Sequence, residues 1–195
     1  MDFQEVVKFH GHACPGLALG YRAALAALEE LQVDRSADEE LVAIVENNSC
    51  AVDAIQKMLG CTFGKGNLIF KDFGKQVYTI LKRPSGAAVR LAVIWEGPSE
   101  SEEEKRSWQR YAVGERDPEV LRAVHARKSA KLAAVLQAPA EELFAIRRVE
   151  AALPEPARLY PSIRCDECGE KVMAPRMREQ EGRRLCIPCA EADRG

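Results

Sequence analysis

No uninterrupted apolar run in these 195 residues approaches the roughly 20 needed to cross a bilayer, so the sequence contains no candidate transmembrane helix. Excess charge of one sign is also missing. The 28 Lys and Arg stand against 30 Asp and Glu, a net charge of −2. A broad nucleic-acid footprint calls for a basic domain, and this balance argues against one. No repeat of the length used by solenoids recurs. The start, Met1-Asp2-Phe3-Gln4-Glu5, has neither the basic opening nor the apolar stretch of a secretory signal. A cytoplasmic protein without a membrane partner is the expectation.

What remains is a composition of 47% apolar and 30% charged residues, that of a globular chain. A chain of this size buries on the order of 70% of its unfolded surface and needs no disulfides to hold a core. Seven cysteines therefore stand out, and their odd number in a reducing compartment points to metal or thiol chemistry. They fall into two groups: Cys14, Cys50 and Cys61, then Cys165, Cys168, Cys186 and Cys189.

Apolar residues at Leu17, Tyr21, Ala24, Leu28 and Leu31 keep a helical period, and Pro15 suits the first turn. A polar loop over 34–38 precedes a β-branched strand at 41–45 and a helix over about 49–59, with Gly60 as its cap. Segments 68–73 and 76–81 read as strands flanking a Gly74-Lys75 turn, followed by a strand over 88–95. Gly64-Lys65-Gly66 reads as a plain turn rather than an anion cradle. A charged surface helix spans 100–112, and Asp117-Pro118 opens a longer helix to about 136. On that helix His125 shares a face with Leu121 and Leu132 and reads as a packing residue. A strand follows over 144–152. Pro154, Pro156 and Pro161 break regular structure, placing a boundary near 154–162 between a core domain (1–155) and a small C-terminal domain (160–195). The core is expected to be α+β.

Cys165-Asp-Glu-Cys168, seventeen further residues and Cys186-Ile-Pro-Cys189 match a four-cysteine zinc site. Four thiolates complete a tetrahedral zinc shell, which makes the site structural. Val172-Met173 and Arg184-Leu185 are expected to pair across Glu181-Gly182, with a short helix after Cys189, as in a treble clef. Residues 160–195 carry seven basic and seven acidic side chains, so docking is favoured over nucleic-acid binding for this module.

His10-Gly-His-Ala-Cys-Pro-Gly16 places two imidazoles and a thiol close together. Cys14 and Cys50 are each expected at a helix N-terminus, where the dipole favours thiolate. His12, Cys14 and Cys50 then form a catalytic or transfer site for zinc or another transition metal, with one open position and with Cys61 as a fourth ligand or resolving thiol. Asp53, three residues beyond Cys50, is placed to orient a ligand imidazole. The alternative, ordinary buried cysteines beside a chance His-x-His, stays open on spacing alone.

The segments HGHACPGLALGYRA (10–23), ENNSCAVDAIQ (46–56), GCTFGKGNL (60–68) and FGK (73–75), with the terminal four-cysteine unit, resemble the FmdE family. That family is associated with molybdenum or tungsten formylmethanofuran dehydrogenase. The resemblance implies a thioredoxin-like core with a mixed sheet flanked by helices and an accessory treble-clef finger. It maps the family's metal-capable cleft onto His10, His12, Cys14 and Cys50, with Cys61 nearby. It further implies a homodimer associated with a molybdenum or tungsten dehydrogenase complex, an oxidoreductase of one-carbon metabolism. The roles open on this reading are a metal-binding FmdE-like protein, a non-catalytic metal-delivery or cofactor-assembly module, and a zinc-finger regulator on nucleic acid.

Overall fold

A computed structural model describes residues 1–192. The chain divides into two compact units, Met1–Pro156 and a second beginning at Ala157.

The first unit opens with α1 (Phe3–His10) and α2 (Pro15–Leu31), then alternates β1 (Leu41–Val45), α3 (Ala51–Leu59) and β2 (Leu68–Phe70). Next come β3 (Val77–Lys82) and β4 (Ala87–Val93), the helices α4 (Glu102–Ala112), α5 (Pro118–Gln137) and α6 (Ala140–Leu143), and β5 (Phe144–Glu150). The five strands form one mixed sheet in the order β2-β1-β3-β4-β5. β1 and β2 run parallel, joined by the crossover through α3, and every other pairing is antiparallel.

Alternation sorts the strand residues between two apolar layers. Leu41, Ala43 and Val45 of β1 join Tyr78, Ile80, Val89 and Leu91 beneath the helices. Val42, Leu81 and Ala88 face the opposite way, where Val149, Ala151 and Leu153 pack against them. β1 is thus covered on both faces, which accounts for its unbroken apolar run.

Two expectations are corrected. Segments 68–73 and 76–81 do not form a hairpin: β2 and β3 flank β1 on opposite sides. The connector passes the end of β1, with Lys71 N–H donating to the Val45 carbonyl and Lys75 N–H to that of Glu46. β1, apolar on both faces, takes both neighbours. His125 is exposed, because the buried stripe of α5 runs through Val120, Val124 and Val135. The segment Gly64-Lys65-Gly66 is a turn, and the Lys65 ammonium donates to the Asp38 carbonyl (2.6 Å). α1 is an element the periodicity did not reveal.

The second unit contains two small hairpins, β6 (Ser162–Arg164) with β7 (Lys171–Met173) and β8 (Arg178–Gln180) with β9 (Arg183–Leu185), then α7 (Ile187–Ala192). Val172 and Met173 therefore pair with Ile163 and Ser162 instead of with Arg184 and Leu185. A 3₁₀ turn at Ala174–Arg176, containing Pro175, redirects the chain between the hairpins. Glu181-Gly182 turns β8 into β9 as expected.

Candidate metal centres

In the core unit, Cys14 and Cys50 reach each other because two helix starts do. Cys14 is the N-cap of α2 in extended backbone (φ −150°), and its Sγ accepts the Leu17 N–H at 3.3 Å. Cys50 caps α3 with helical backbone and no side-chain capping bond, which leaves its thiol available to the cleft. The turn before it is held by Asn47: its amide donates to the Lys75 carbonyl (2.7 Å), and its Oδ1 accepts from the Ser49 amide and hydroxyl. Gly20 on α2 lets α3 approach, and Gly16, one turn earlier, faces Cys50. A Cβ on Gly20 would lie 2.2 Å from the Ala51 carbonyl oxygen, while one on Gly16 would lie 3.5 Å from the Cys50 Cβ.

The imidazoles enter from α1. Asp2 and Glu5 form a reciprocal capping box at its start. His10 is its last residue, and Gly11 (φ 98°) turns the chain back toward Cys14. The His10 side chain is 11% exposed, and its Nδ1–H donates to Oδ2 of Asp53 at 2.7 Å. Its Nε2 is buried without a hydrogen-bond partner among the described residues. His12 is exposed, with its ring centroid 4.4 Å from that of His10.

One donor atom from each of His10, His12, Cys14 and Cys50 lies within 4.8 Å of the others. Two thiols and two imidazoles are a tetrahedral zinc ligand set, and a buried imidazole nitrogen lacking any other partner fits that use. The Cys50 thiol is pushed up from its ordinary value by burial and by the neighbouring Cys14. Placement at a helix N-terminus does not outweigh those two effects, contrary to the expectation of an acidified thiol. A cation between the sulfurs would reverse the balance.

Cys61 stands apart from this group. It follows Gly60 at the far end of α3, and at 1.5 Å of rise per residue the helix separates it from Cys50 by roughly 15 Å. It is fully buried, and burial pushes its thiol up to about 12. The sequence places Cys61 just past the end of this helix and offers it as a fourth ligand or resolving thiol, but the length of α3 keeps it away from the other donors.

In the second unit, the sulfurs of Cys165, Cys168, Cys186 and Cys189 also lie within 4.8 Å of one another. Gly169 (φ 73°) closes the first turn, its N–H donating to the Cys165 carbonyl (3.0 Å). The N–H groups of Cys168 and Cys186 point at the Cys165 sulfur and lower its thiol to about 6. Cys189 is driven up to about 12, first by its contact with Cys186 and then by burial. Crowded sulfurs cannot all ionise without a cation, and an ion would supply the missing charge.

Comparison with known proteins adds four matches. Residues 9–145 match the FmdE family, described as belonging to the molybdenum formylmethanofuran dehydrogenase operon, and residues 158–193 match the prokaryotic dksA/traR C4-type zinc finger. A probable S-adenosyl-L-methionine-binding protein of Archaeoglobus fulgidus is 33% identical over 94% of the chain, which spans about half (50%) of that relative's length. A crystal structure of a tungsten formylmethanofuran dehydrogenase FmdE-like protein from Syntrophus aciditrophicus superposes with a TM-score of 0.60. That likeness covers 98% of this chain and 94% of the other at 21% identity, and it speaks to the fold.

Proposed function

The chain belongs to the FmdE family and carries a C4-type zinc-binding module at its C-terminal end; from that premise we propose that it is a metal-binding, FmdE-like accessory protein of molybdenum- or tungsten-dependent one-carbon metabolism. The observation that carries the proposal is the gathering of one donor atom from each of His10, His12, Cys14 and Cys50 within 4.8 Å, at a His10 ring whose Nε2 is buried without a partner among the described residues.

In this reading Cys14 and Cys50 supply charge, His10 supplies a fixed neutral donor, and His12 closes the cleft from the solvent side. Zinc or a similar ion held there would provide Lewis acidity toward a carbonyl or thiol ligand. Two thiolates neutralise a divalent cation, so acidification of a bound water is weaker than at a site of three imidazoles. Four donors fill a tetrahedral shell, and catalysis with His12, Cys14 and Cys50 as the working residues requires one of the four to leave. That completeness favours the second reading, a non-catalytic metal-delivery or cofactor-assembly role.

The family's operon description supports association with a dehydrogenase complex. A homodimer is part of the same proposal. A thioredoxin-like reading of the core is supported by the sheet order, with β1 between a parallel β2 and an antiparallel β3. The paired hairpins and α7 around four cysteines support a treble clef.

Metal content per chain tests the proposal. The full chain should hold two zinc ions, and Cys14→Ser should hold one with the C-terminal unit still folded. Unchanged content in Cys14→Ser combined with Cys50→Ser would overturn it. Recovery of a partner dehydrogenase by added metal alone would decide for delivery.

A further inference from the structure

The two imidazoles of the core cluster are not equivalent. His10 is nearly buried (11% exposed) and ends a capped helix. Its Nδ1 faces the Asp53 carboxylate, which can only accept, so the proton sits on Nδ1 and the neutral ring's lone pair on Nε2. The Asp53 carboxylate is itself held: it lies in the first turn of α3, three residues after Cys50, and its other oxygen accepts from the Gln56 amide (3.4 Å). One carboxylate thus ties the end of α1 to the helix that presents Cys50. Among the described residues His12 has no such hydrogen-bonded partner. It is exposed, and it follows Gly11, around which there is open space.

We propose that Asp53 is a positioning residue that fixes His10 with Nε2 toward the two thiols as the permanent imidazole, leaving His12 as the donor that detaches when the ion is exchanged. The proposal rests on the metal-binding reading above and specifies how that site opens. With His12 swung away, His10, Cys14 and Cys50 still grip the ion and one coordination position is presented to solvent, to a substrate donor atom or to a receiving protein. The position that opens is therefore the exposed one, beside Gly11, and the inner three donors need not move.

The full-length chain tests this with zinc alone as probe. Imidazole nitrogen NMR of the metal-free protein should show His10 as the Nδ1–H tautomer, and Asp53→Asn should shift it toward Nε2–H while the fold is retained. Asp53→Asn should also weaken the core zinc by about 10–100-fold, the usual cost of losing such a partner, and Asp53→Glu should recover most of both effects. His12→Ala should still bind the second zinc but release it to a chelator faster than wild type. An unchanged tautomer and affinity in Asp53→Asn would overturn the proposal, as would complete loss of the second zinc in His12→Ala. A wild-type chain that takes up only the C-terminal zinc overturns the proposed function and the exchange role of His12 together, whereas the metal-free tautomer still decides the role of Asp53.

Discussion

Gly20 has no side chain to hold α2 off α3, and the Ala51 carbonyl oxygen occupies the place a Cβ would take, at 2.2 Å. Gly20→Ala must therefore push apart the helices that carry Cys14 and Cys50. Overpacking of a tight core contact costs about 1–3 kcal/mol and occasionally more. The chemical denaturation midpoint should fall accordingly, and the core metal should bind more weakly. Gly16→Ala, whose added carbon meets the Cys50 Cβ at an ordinary 3.5 Å, should be tolerated. Equal midpoints for the two variants would contradict this account of the helix contact. A second residue-scale effect concerns acid. Glu40 accepts from the Ser36 hydroxyl (2.6 Å) and the Asp38 amide (2.8 Å), which lowers its carboxyl from an ordinary 4.5 to about 2. The folded state thus prefers the ionised form. Its stabilisation is complete above pH about 4.5 and is lost as pH falls toward 2. Glu40→Gln should flatten the pH dependence of unfolding in that window, measured against wild type at matched salt.

Among the elements, the finger strands depend most on an ion. The buried cluster of the second unit consists of Cys165, Leu185, Cys186 and Ala190, too little apolar surface to order hairpins and a helix. Structural zinc contributes ~10–16 kcal/mol in small modules of this kind. Chelation should collapse the dispersed amide resonances of β6 through α7, and added zinc should restore them; persistence of that dispersion without metal would refute the dependence. The cysteine spacing made this unit legible, since two C-x₂-C pairs fix where the chain must converge. In the core, Pro15, Asp117-Pro118 and Gly60 marked helix ends that the structure places at α2, α5 and α3. Strand pairing was not legible. Alternation in 68–73 and 76–81 identifies which side chains are apolar, but partner choice is decided by β1, which attracts a strand on each side. α1 escaped because eight residues hold too few turns for a clear period, although Asp2 and Glu5 spell its capping box. Without that helix the depth of His10 and the exposure of His12 could not be told apart from their spacing.

For the whole molecule, the decisive question is which parts need metal to stand. The core unit buries Tyr78, Phe144, Leu17, Ile55, Leu59 and Ile80 almost completely, and such burial is worth about 1.5–3 kcal/mol per large side chain before entropy is subtracted. That burial is expected to hold its sheet and helices together whether or not an ion is bound. The second unit has no comparable reserve. A chelator applied to the full chain should therefore act in two ways: the finger unfolds, while the core keeps its secondary structure and a single cooperative thermal transition. Cys14→Ser should leave that transition close to wild type, because its thiol caps α2 through only one 3.3 Å bond from Leu17. Cys168→Ser should remove the finger's order at all zinc levels yet spare the second metal. Calorimetry with metal analysis on the same samples separates these outcomes. Loss of the core transition on chelation would mean that the His10, His12, Cys14 and Cys50 cluster is a structural clasp, because an ion that can be handed on must leave behind a cleft that remains folded.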